Sequence, residues 1–229
     1  MKKRGTVLLI YFCFGLCFVS AQLPKLSSEE VKQGWVLLFD GKSSKGWKKF
    51  NGDPFPSKGW IIDNGIISVD PSQGQTGDIV TDNEYSDFEL SLEFKLTEGA
   101  NSGIKYFLFN NTDLGCEFQV LDDLKHPDGK FANRVQGSLY DVMAPKGVKN
   151  KPIGQWNQAR IIAKGKHVEH WLNGNKILEY DRGSELFRKL VSESKFKDVK
   201  RWGEVDKGRI LLQQHGGAVS FRNIKIRPL

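Results

Sequence analysis

Nine consecutive residues, 88–96, alternate strictly between apolar side chains at the even positions and polar side chains at the odd positions, in the order Phe-Glu-Leu-Ser-Leu-Glu-Phe-Lys-Leu. Successive side chains of a β-strand point to opposite sides, so this segment predicts a strand with one face buried in a core. The other face is expected to meet solvent or a ligand.

The remainder of the chain repeats this strand character in shorter segments. Residues 60–62 and 66–69 flank Asn64-Gly65, a strong signal for a tight β-hairpin, and Asn173-Gly174 predicts a second one between 167–172 and 176–180. Further strands are predicted at 36–39, 103–109, 116–121, 156–163, 209–215 and 218–226. The pattern indicates an all-β fold of two packed antiparallel sheets, a jelly-roll sandwich. One or two short helices are expected, at 184–194 and in a single turn near 26–31.

The first 21 residues are predicted to be a cleavable signal peptide, because basic residues 2–4 precede an apolar run at 7–19 and the small pair Ser20-Ala21. An uncleaved anchor helix and a lipoprotein attached through Cys17 are the alternatives. We expect residues 22–229 to form a single exported domain, periplasmic or secreted, with no transmembrane span after cleavage. Loss of the three basic residues lowers the formal net charge from +7 to about +4, which argues against nucleic-acid binding.

Signal cleavage also leaves Cys116 as the only cysteine of the mature chain, so no internal disulfide can form. Cys116 begins a predicted strand and has no neighbouring histidine in the sequence. It is therefore interpreted as a small buried side chain rather than as a nucleophile.

Polar side chains on the strand after Cys116 form the first candidate site. Glu117 and Gln119 share a face, and a small bulge at the strand end would bring Asp122 alongside them. Such side chains can bind the hydroxyl groups of a sugar. The alternative is that this face is simply exposed to solvent.

A second polar group follows further along the chain. Gln213 and His215 lie on one side of a predicted strand, and Gly216-Gly217 leaves the approach to the histidine open. A histidine titrates near neutral pH and can serve as an acid or a base, although a hydrogen-bonding role is the plain alternative. The long loop at 122–154 is a candidate wall for this site.

Metal and aromatic signals are weaker. In the segment His167-Val168-Glu169-His170, His170 faces away from the other two possible ligands, so a histidine-based zinc site is not expected. A structural or catalytic divalent metal held by loop carboxylates stays open, and no other cofactor is expected. The tryptophans are expected mainly in the core, with one or two at most touching a ligand.

Several short motifs, taken in order, resemble the 3-keto-disaccharide hydrolase family. The resemblance covers nearly the whole mature chain and is carried by the segments 34–42, 46–47, 101–104, 117–122, 137–141, 156–157, 170–174, 212–216 and 221–224. It implies a concanavalin A-like jelly roll that cleaves glycosides whose glucose ring has been oxidised at carbon 3 by an upstream sugar oxidoreductase. It also favours a Gram-negative periplasm.

The chemistry implied by this resemblance needs a base for the proton on carbon 2, a proton donor for the leaving oxygen, and a group that holds the enolate oxygen. On this basis the acid and base work is assigned jointly to Glu117, Asp122 and His215. The substrate-binding residues are expected to be Gln119 and Gln213 for hydroxyl groups, Lys105 or Arg222 for the enolate, and Asn101 and Tyr140 from loops.

A noncatalytic, lectin-like carbohydrate-binding module is the main alternative, because the same sandwich serves both roles. An interaction domain of a larger surface complex is a third. Binding of intact glycan without turnover would distinguish the lectin from the enzyme.

Overall fold

The computed structural model describes residues 23–52, 54–109 and 112–229, so the predicted signal peptide lies outside the described residues. Thirteen strands and two short α-helices make up the described secondary structure. In chain order the strands are β1 (Val36–Leu37), β2 (Trp47–Lys49), β3 (Trp60–Asp63), β4 (Ile66–Val69), β5 (Ile79–Thr81), β6 (Phe88–Leu96), β7 (Asn101–Tyr106), β8 (Cys116–Leu121), β9 (Asn157–Lys164), β10 (His167–Leu172), β11 (Asn175–Asp181), β12 (Leu211–Leu212) and β13 (Val219–Pro228). The helices are α1 (Ser28–Lys32) and α2 (Glu185–Ser192), and short 3₁₀ turns occur at Pro71–Gln73 and Pro127–Lys130.

The strands form two antiparallel sheets that pack face to face. The larger sheet has the order β11-β10-β9-β6-β13-β4-β3, with β1 also paired to β13, and the smaller has the order β2-β5-β12-β7-β8. Every pairing in both sheets is antiparallel. The predicted two-sheet sandwich is therefore confirmed.

The alternating segment forms β6, the centre of the larger sheet. Its even-numbered side chains are buried between the sheets, as the pattern predicts. On the outer face, Glu89 is also buried, because it is held by Arg160 and Arg227, with Arg227 Nη2 lying 2.6 Å from the Glu89 carboxylate. This outer face carries paired charges.

Both predicted hairpins are present. Asn64 and Gly65 adopt positive φ angles of 50° and 81° between β3 and β4, and Asn173 and Gly174 adopt 50° and 83° between β10 and β11. Two consecutive residues with positive φ are what a type I′ turn requires, which explains the Asn-Gly pairs.

The two helices begin at serine caps, as predicted. Ser27 and Glu30 form a reciprocal capping box at α1, and the Ser184 side chain accepts from the Phe187 backbone N–H at α2. Phe187 is the buried anchor of α2, stacking between Tyr180 and Trp202 with ring centroids 5.8 and 6.0 Å away. This contact fixes α2 and the segment that follows it, which continues into the candidate site.

A polar chain runs through the core between the two sheets. Tyr106 Oη lies 2.6 Å from both His170 Nε2 and Tyr180 Oη, and His170 Nδ1 lies 2.9 Å from the Gly137 carbonyl oxygen. Because a carbonyl only accepts, His170 carries its proton on Nδ1 and accepts from Tyr106 through Nε2. Burial lowers the pKa of His170 to about 4, so the ring is neutral at physiological pH.

Cys116 is buried in the same core, and burial raises the pKa of its thiol to about 11. This agrees with its interpretation as a small buried side chain. Among the residues that the structure describes, no helix has the length and apolar character needed to cross a bilayer.

Candidate active site

A cavity of about 250 Å³ opens on the outer face of the smaller sheet, over β7, β8 and the residues after β12. The pairing of Lys105 with Glu117 across β7 and β8 places both side chains on this face. The lining residues are Asn101, Lys105, Asp113, Leu114, Gly115, Glu117, Gln119, Tyr140, Lys195, Phe196, Gln213 and His215. All but two of the predicted site residues are among them, the exceptions being Asp122 and Arg222.

Glu117 lies at the floor of the cavity and is only 5% exposed. Its carboxylate folds over Gly103 on the neighbouring strand, where a Cβ atom would lie 2.1 Å from Glu117 Oε1. The glycine therefore provides the space in which the carboxylate sits. The side-chain nitrogen of Gln119, in the orientation that its neighbours favour, donates to Glu117 Oε1 at 3.2 Å and to the Ser102 carbonyl at 3.0 Å.

The surroundings of Glu117 change its acidity. Burial raises the pKa of its carboxyl group from the ordinary 4.5 to about 7, against the opposing effect of the Lys105 and Lys195 charges. The nearby carboxylates of Asp78 and Asp113 raise it further. A carboxyl group with a pKa near 7 can both take up and release a proton at neutral pH, as a general acid or base must.

Lys195 is a site residue that the sequence did not indicate. It follows α2 in a polar segment without periodicity, and its backbone N–H donates to Asp141 Oδ2 at 2.7 Å. Although the residue as a whole is exposed, its ammonium group lies 4.2 Å from the centroid of the Tyr140 ring. Partial desolvation there lowers the pKa of Lys195, while the Glu117 charge acts in the opposite direction.

The predicted wall, the loop at 122–154, contributes Tyr140. The Tyr140 hydroxyl donates to Asp128 Oδ2 at 2.9 Å, and burial raises the pKa of this hydroxyl, so it stays protonated. Because its proton is directed at Asp128, the phenol oxygen is free to accept a hydrogen bond from a ligand hydroxyl group.

Two further predicted residues complete the opposite rim. The Gln213 backbone N–H donates to the Gly103 carbonyl at 3.0 Å, and the Ser102 hydroxyl donates to the Gln213 carbonyl at 2.7 Å. These bonds hold the chain against β7 after β12 has ended. The strand predicted at 209–215 is thus shorter than expected and covers only Leu211–Leu212. His215 follows as an exposed side chain at the mouth of the cavity.

Lys105 is fixed by Asp113, another residue that the sequence did not indicate. The Lys105 ammonium group donates to the Asp113 carbonyl oxygen at 3.2 Å and lies 3.5 Å from Asp113 Oδ2. Asn101 is also buried, with its amide 3.4 Å from His126 Nε2. The cavity thus combines one buried carboxylate with two ammonium groups and several amides.

The expected position of Asp122 beside Glu117 is not found. The register of β7 and β8 runs without a bulge from Tyr106–Cys116 to Asn101–Leu121, so alternation turns Asp122 to the other side of the sheet. There its carboxylate accepts from the backbone N–H groups of Gly99 at 2.8 Å and Leu124 at 3.1 Å. Asp122 therefore acts as a cap for the adjoining turns.

Arg222 also lies outside the cavity, because β13 belongs to the other sheet. Its guanidinium group pairs with Glu93 and lies 4.1 Å from the centroid of the Trp156 ring. No tryptophan lines the cavity, and four of the six, Trp35, Trp47, Trp60 and Trp202, are buried in the fold.

The possible metal ligands of β10 lie elsewhere on the molecule. His170 faces away from His167 and Glu169, as predicted, and is buried in the core. Glu179 of β11, however, approaches His167 and Glu169 and completes a group of three possible ligands. The Lys176 ammonium group already contacts both carboxylates, at 3.4 Å from Glu169 and 2.5 Å from Glu179. This group is an ion-pair cluster on the hairpin surface.

Comparison with known proteins gives three findings. Residues 34–227 match the family model of the 3-keto-alpha-glucoside-1,2-lyase-like domain. A 3-keto-disaccharide hydrolase of Bacteroides thetaiotaomicron is 33% identical over an alignment covering 92% of this chain and 83% of the relative. The crystal structure of a proposed glycosyl hydrolase from Parabacteroides distasonis has a TM-score of 0.82 and 31% identity, covering 91% of this chain and all of that one.

Proposed function

The chain belongs to the 3-keto-alpha-glucoside-1,2-lyase-like family, and from this we propose that it cleaves 3-keto-glucosides, including 3-keto-disaccharides, at the cavity around Glu117. The glycosidase-type relatives support a carbohydrate-active enzyme. The observation that carries the proposed cleavage of 3-keto-glucosides is the environment of Glu117. This buried carboxyl group has a pKa of about 7 and faces a cavity that Lys105 and Lys195 also line.

This arrangement suits proton abstraction next to a ketone. A common glycosidase uses two carboxyl groups that flank the scissile bond and stabilise an oxocarbenium-like transition state. In this cavity the second carboxylate, Asp113, is engaged by Lys105 and is half exposed. One base together with two ammonium groups instead fits the formation and stabilisation of an enolate.

The proposed reaction proceeds in two stages. Glu117 takes the proton from carbon 2, and the electron pair of that C–H bond forms the enolate, whose oxygen on carbon 3 is held by Lys105 and Lys195. The enolate then re-forms the ketone and expels the oxygen on carbon 1, which takes a proton from His215. Water next adds to carbon 1 of the resulting enone and gives one proton back to His215, while carbon 2 recovers the proton held by Glu117, so the net change is hydrolysis.

The remaining side chains bind the sugar in this proposal. Gln119 and Gln213 contact hydroxyl groups, Asn101 contributes an amide, and the Tyr140 oxygen accepts from a hydroxyl group. No cofactor enters these steps. The substrate requires an oxidoreductase upstream that converts the 3-hydroxyl group to a ketone, and we propose that both proteins act after export, in the periplasm or outside the cell.

The test is to incubate the protein with 3-keto-trehalose and with a 3-keto-glucoside, with and without a chelator, and to follow products by mass spectrometry. We expect cleavage of the keto-sugars and none of the parent glucosides. Glu117→Gln should lower kcat by about a hundredfold or more, the usual size of a general-base contribution.

Two outcomes would contradict the proposal. Unchanged turnover in both Glu117→Gln and His215→Ala would remove the assigned residues. Binding of intact glycan without turnover of any keto-sugar would favour a lectin-like binding module.

A further inference from the structure

Glu117 is the end of a chain of hydrogen-bonded side chains that leads out of the cavity to His126. The chain passes through Gln119 and Asn101, which line the cavity, whereas His126 is not among the lining residues. None of the steps proposed above uses His126.

The turn that follows β8 places His126. Its backbone N–H donates to the Asp122 carbonyl oxygen at 3.0 Å, and the 3₁₀ turn at Pro127–Lys130 begins immediately after it. Asn101, the first residue of β7, pairs with the last residue of β8. The turn therefore brings the half-buried His126 ring back to the beginning of β7, where its Nε2 lies 3.4 Å from the Asn101 amide.

The cap of the 3₁₀ turn fixes which nitrogen of His126 carries the proton. The Asp128 backbone N–H donates to His126 Nδ1 at 3.2 Å, so Nδ1 holds no proton. The proton of the ring then lies on Nε2, the atom that faces Asn101. His126 is therefore a hydrogen-bond donor at the start of the chain.

This donor gives both amides of the chain one orientation. The oxygen and nitrogen of an amide group are alike in size, so the partners decide which atom lies where. Asn101 accepts from His126 Nε2 through its oxygen and turns its nitrogen towards Gln119, 3.3 Å away. Gln119 accepts there through its own oxygen, and its nitrogen donates to Glu117 Oε1 at 3.2 Å. Every bond of the chain thus points from His126 to Glu117.

The other end of the chain requires the same direction. The Ser102 carbonyl oxygen can only accept, and it lies 3.0 Å from the Gln119 nitrogen. This contact alone turns the Gln119 oxygen towards Asn101, and hence the Asn101 oxygen towards His126. The Asp128 N–H at one end and the Ser102 carbonyl at the other therefore impose the same orientations without conflict.

The direction of the chain matters for the acidity of Glu117. A donated hydrogen bond favours the ionised form of a carboxyl group, which is the form that a base needs, whereas burial of Glu117 disfavours it. The Gln119 amide can lie in two orientations, and only one of them presents its nitrogen to Glu117. The proton on His126 Nε2 favours that orientation.

We propose that His126 is a positioning residue, which acts through Asn101 and Gln119 to hold a hydrogen-bond donor on Glu117 Oε1. The inference rests on the proposed function, because it takes Glu117 as the base. Gln119 can still bind substrate, since its oxygen keeps a second lone pair that accepts from a hydroxyl group.

Two substitutions separate the two nitrogens of His126. His126→Asn keeps the cap, because the asparagine oxygen is as many bonds from the backbone as Nδ1 and asparagine is a preferred capping residue, but the side chain ends short of Asn101. His126→Gln places an amide nitrogen as many bonds from the backbone as Nε2, so it retains the donor. Both variants are uncharged at this position. Both also leave in place the titratable groups around Glu117, which are Asp78, Lys105, Asp113, Tyr140, Lys195 and His215.

The measurement is a carbon-13 NMR titration of protein labelled at the side-chain carboxyl carbon of glutamate, in which the Glu117 signal is the one absent from Glu117→Gln. We expect His126→Asn to raise the pKa of Glu117 by about half a pH unit or more, because a hydrogen bond to a charged group accounts for about one unit and is lost for part of the time. His126→Gln should titrate like the unchanged protein. On a 3-keto-glucoside, the acid limb of kcat/KM should move with the titration, so that His126→Asn is about threefold slower or more below the limb.

A Glu117 titration that is the same in all three proteins would overturn the proposal. Equal shifts in His126→Asn and His126→Gln would also overturn it, because they would indicate a general disturbance of the turn. Nitrogen-15 NMR of the histidine rings gives a second measurement on the unchanged protein, in which His126 should carry its proton on Nε2, and a proton on Nδ1 would contradict the proposed chain.

Failure of the proposed function would give a different result. In that case no 3-keto-glucoside would be turned over, while the carbon-13 titration would still report whether His126 acts on Glu117. A shift that is present in His126→Asn and absent in His126→Gln supports the positioning role whether or not this sugar is the substrate.

Discussion

Replacing Glu117 by glutamine should make the protein more stable above neutral pH. In the unfolded chain this carboxyl group loses its proton near its ordinary pKa of 4.5, whereas in the fold it keeps the proton up to a pKa of about 7. Between these two values the unfolded state binds fewer protons than the folded state. The free energy of unfolding therefore falls as the pH rises through this window and levels off above it.

The size of the effect follows from the shift in pKa. The shift from 4.5 to about 7, at about 1.4 kcal/mol for each pKa unit, corresponds to roughly 3 kcal/mol of stability lost on ionisation. Glutamine has nearly the same shape and never ionises. We therefore expect Glu117→Gln to match the unchanged protein near pH 4 and to exceed its stability by up to about 3 kcal/mol at pH 8.

Urea unfolding followed by tryptophan fluorescence, at intervals from pH 4 to pH 8, measures this difference. Glu169→Gln is a suitable control of the opposite sign, because hydrogen bonds from Trp171 and Lys176 outweigh desolvation and lower the pKa of Glu169. That variant should lose stability relative to the unchanged protein once the pH exceeds about 4.5. A stability difference for Glu117→Gln that does not change with pH would refute the reasoning.

Four further predictions concern the site and the core. Gly103→Ala should displace the Glu117 carboxylate, because the added Cβ would lie 2.1 Å from Glu117 Oε1. The variant should have a kcat at least tenfold lower and an unchanged circular dichroism spectrum, and normal turnover would contradict this prediction. Lys195→Met should raise the pKa of Glu117 by removing a positive charge, so the acid limb of the kcat/KM profile should move to higher pH. The His170→Gln variant should be less stable than the unchanged protein at pH 7, and this difference in the free energy of unfolding should shrink by up to about 3 kcal/mol at pH 4. The reason is that acid destabilises only the unchanged protein, whose histidine is protonated in the unfolded chain but stays neutral in the fold until its lowered pKa of about 4. Cys116 should resist iodoacetamide at pH 8 in the folded protein and react after unfolding, as peptide mass spectrometry of its tryptic fragment would show.

The sandwich could be predicted from sequence because its strands obey local rules. The nine residues of β6 alternate without exception, and both Asn-Gly pairs adopt the positive φ angles that tight hairpins need. Strands of two or three residues carry no such signal, since a period of two cannot be recognised in so short a segment. β2 and β5, of three residues each, were not predicted for this reason.

The candidate site was predictable only where one strand or turn carries several of its residues. Alternation correctly placed Glu117, Gln119 and Lys105 on one face, but the same rule, applied without the assumed bulge, also turns Asp122 away. Lys195 and Asp113 reach the cavity through tertiary contacts of irregular segments, which no local pattern records. The prediction that Arg222 lies in the site was wrong, because the sequence does not show which of the two sheets contains its strand.

The pH dependence of stability connects the core to the site. As the pH rises from about 4.5 to 6.5, Glu117 lowers the free energy of unfolding, because it loses its proton in the unfolded chain but keeps it in the fold. His170 raises the free energy of unfolding over the same range, because it is already neutral in the fold and still protonated in the unfolded chain. The two shifts have similar size and opposite sign, so their effects largely cancel in the unchanged protein. Only single substitutions reveal them. The desolvation that makes Glu117 a strong enough base at neutral pH is thus offset, over the acidic range, by a buried histidine on the other side of β8.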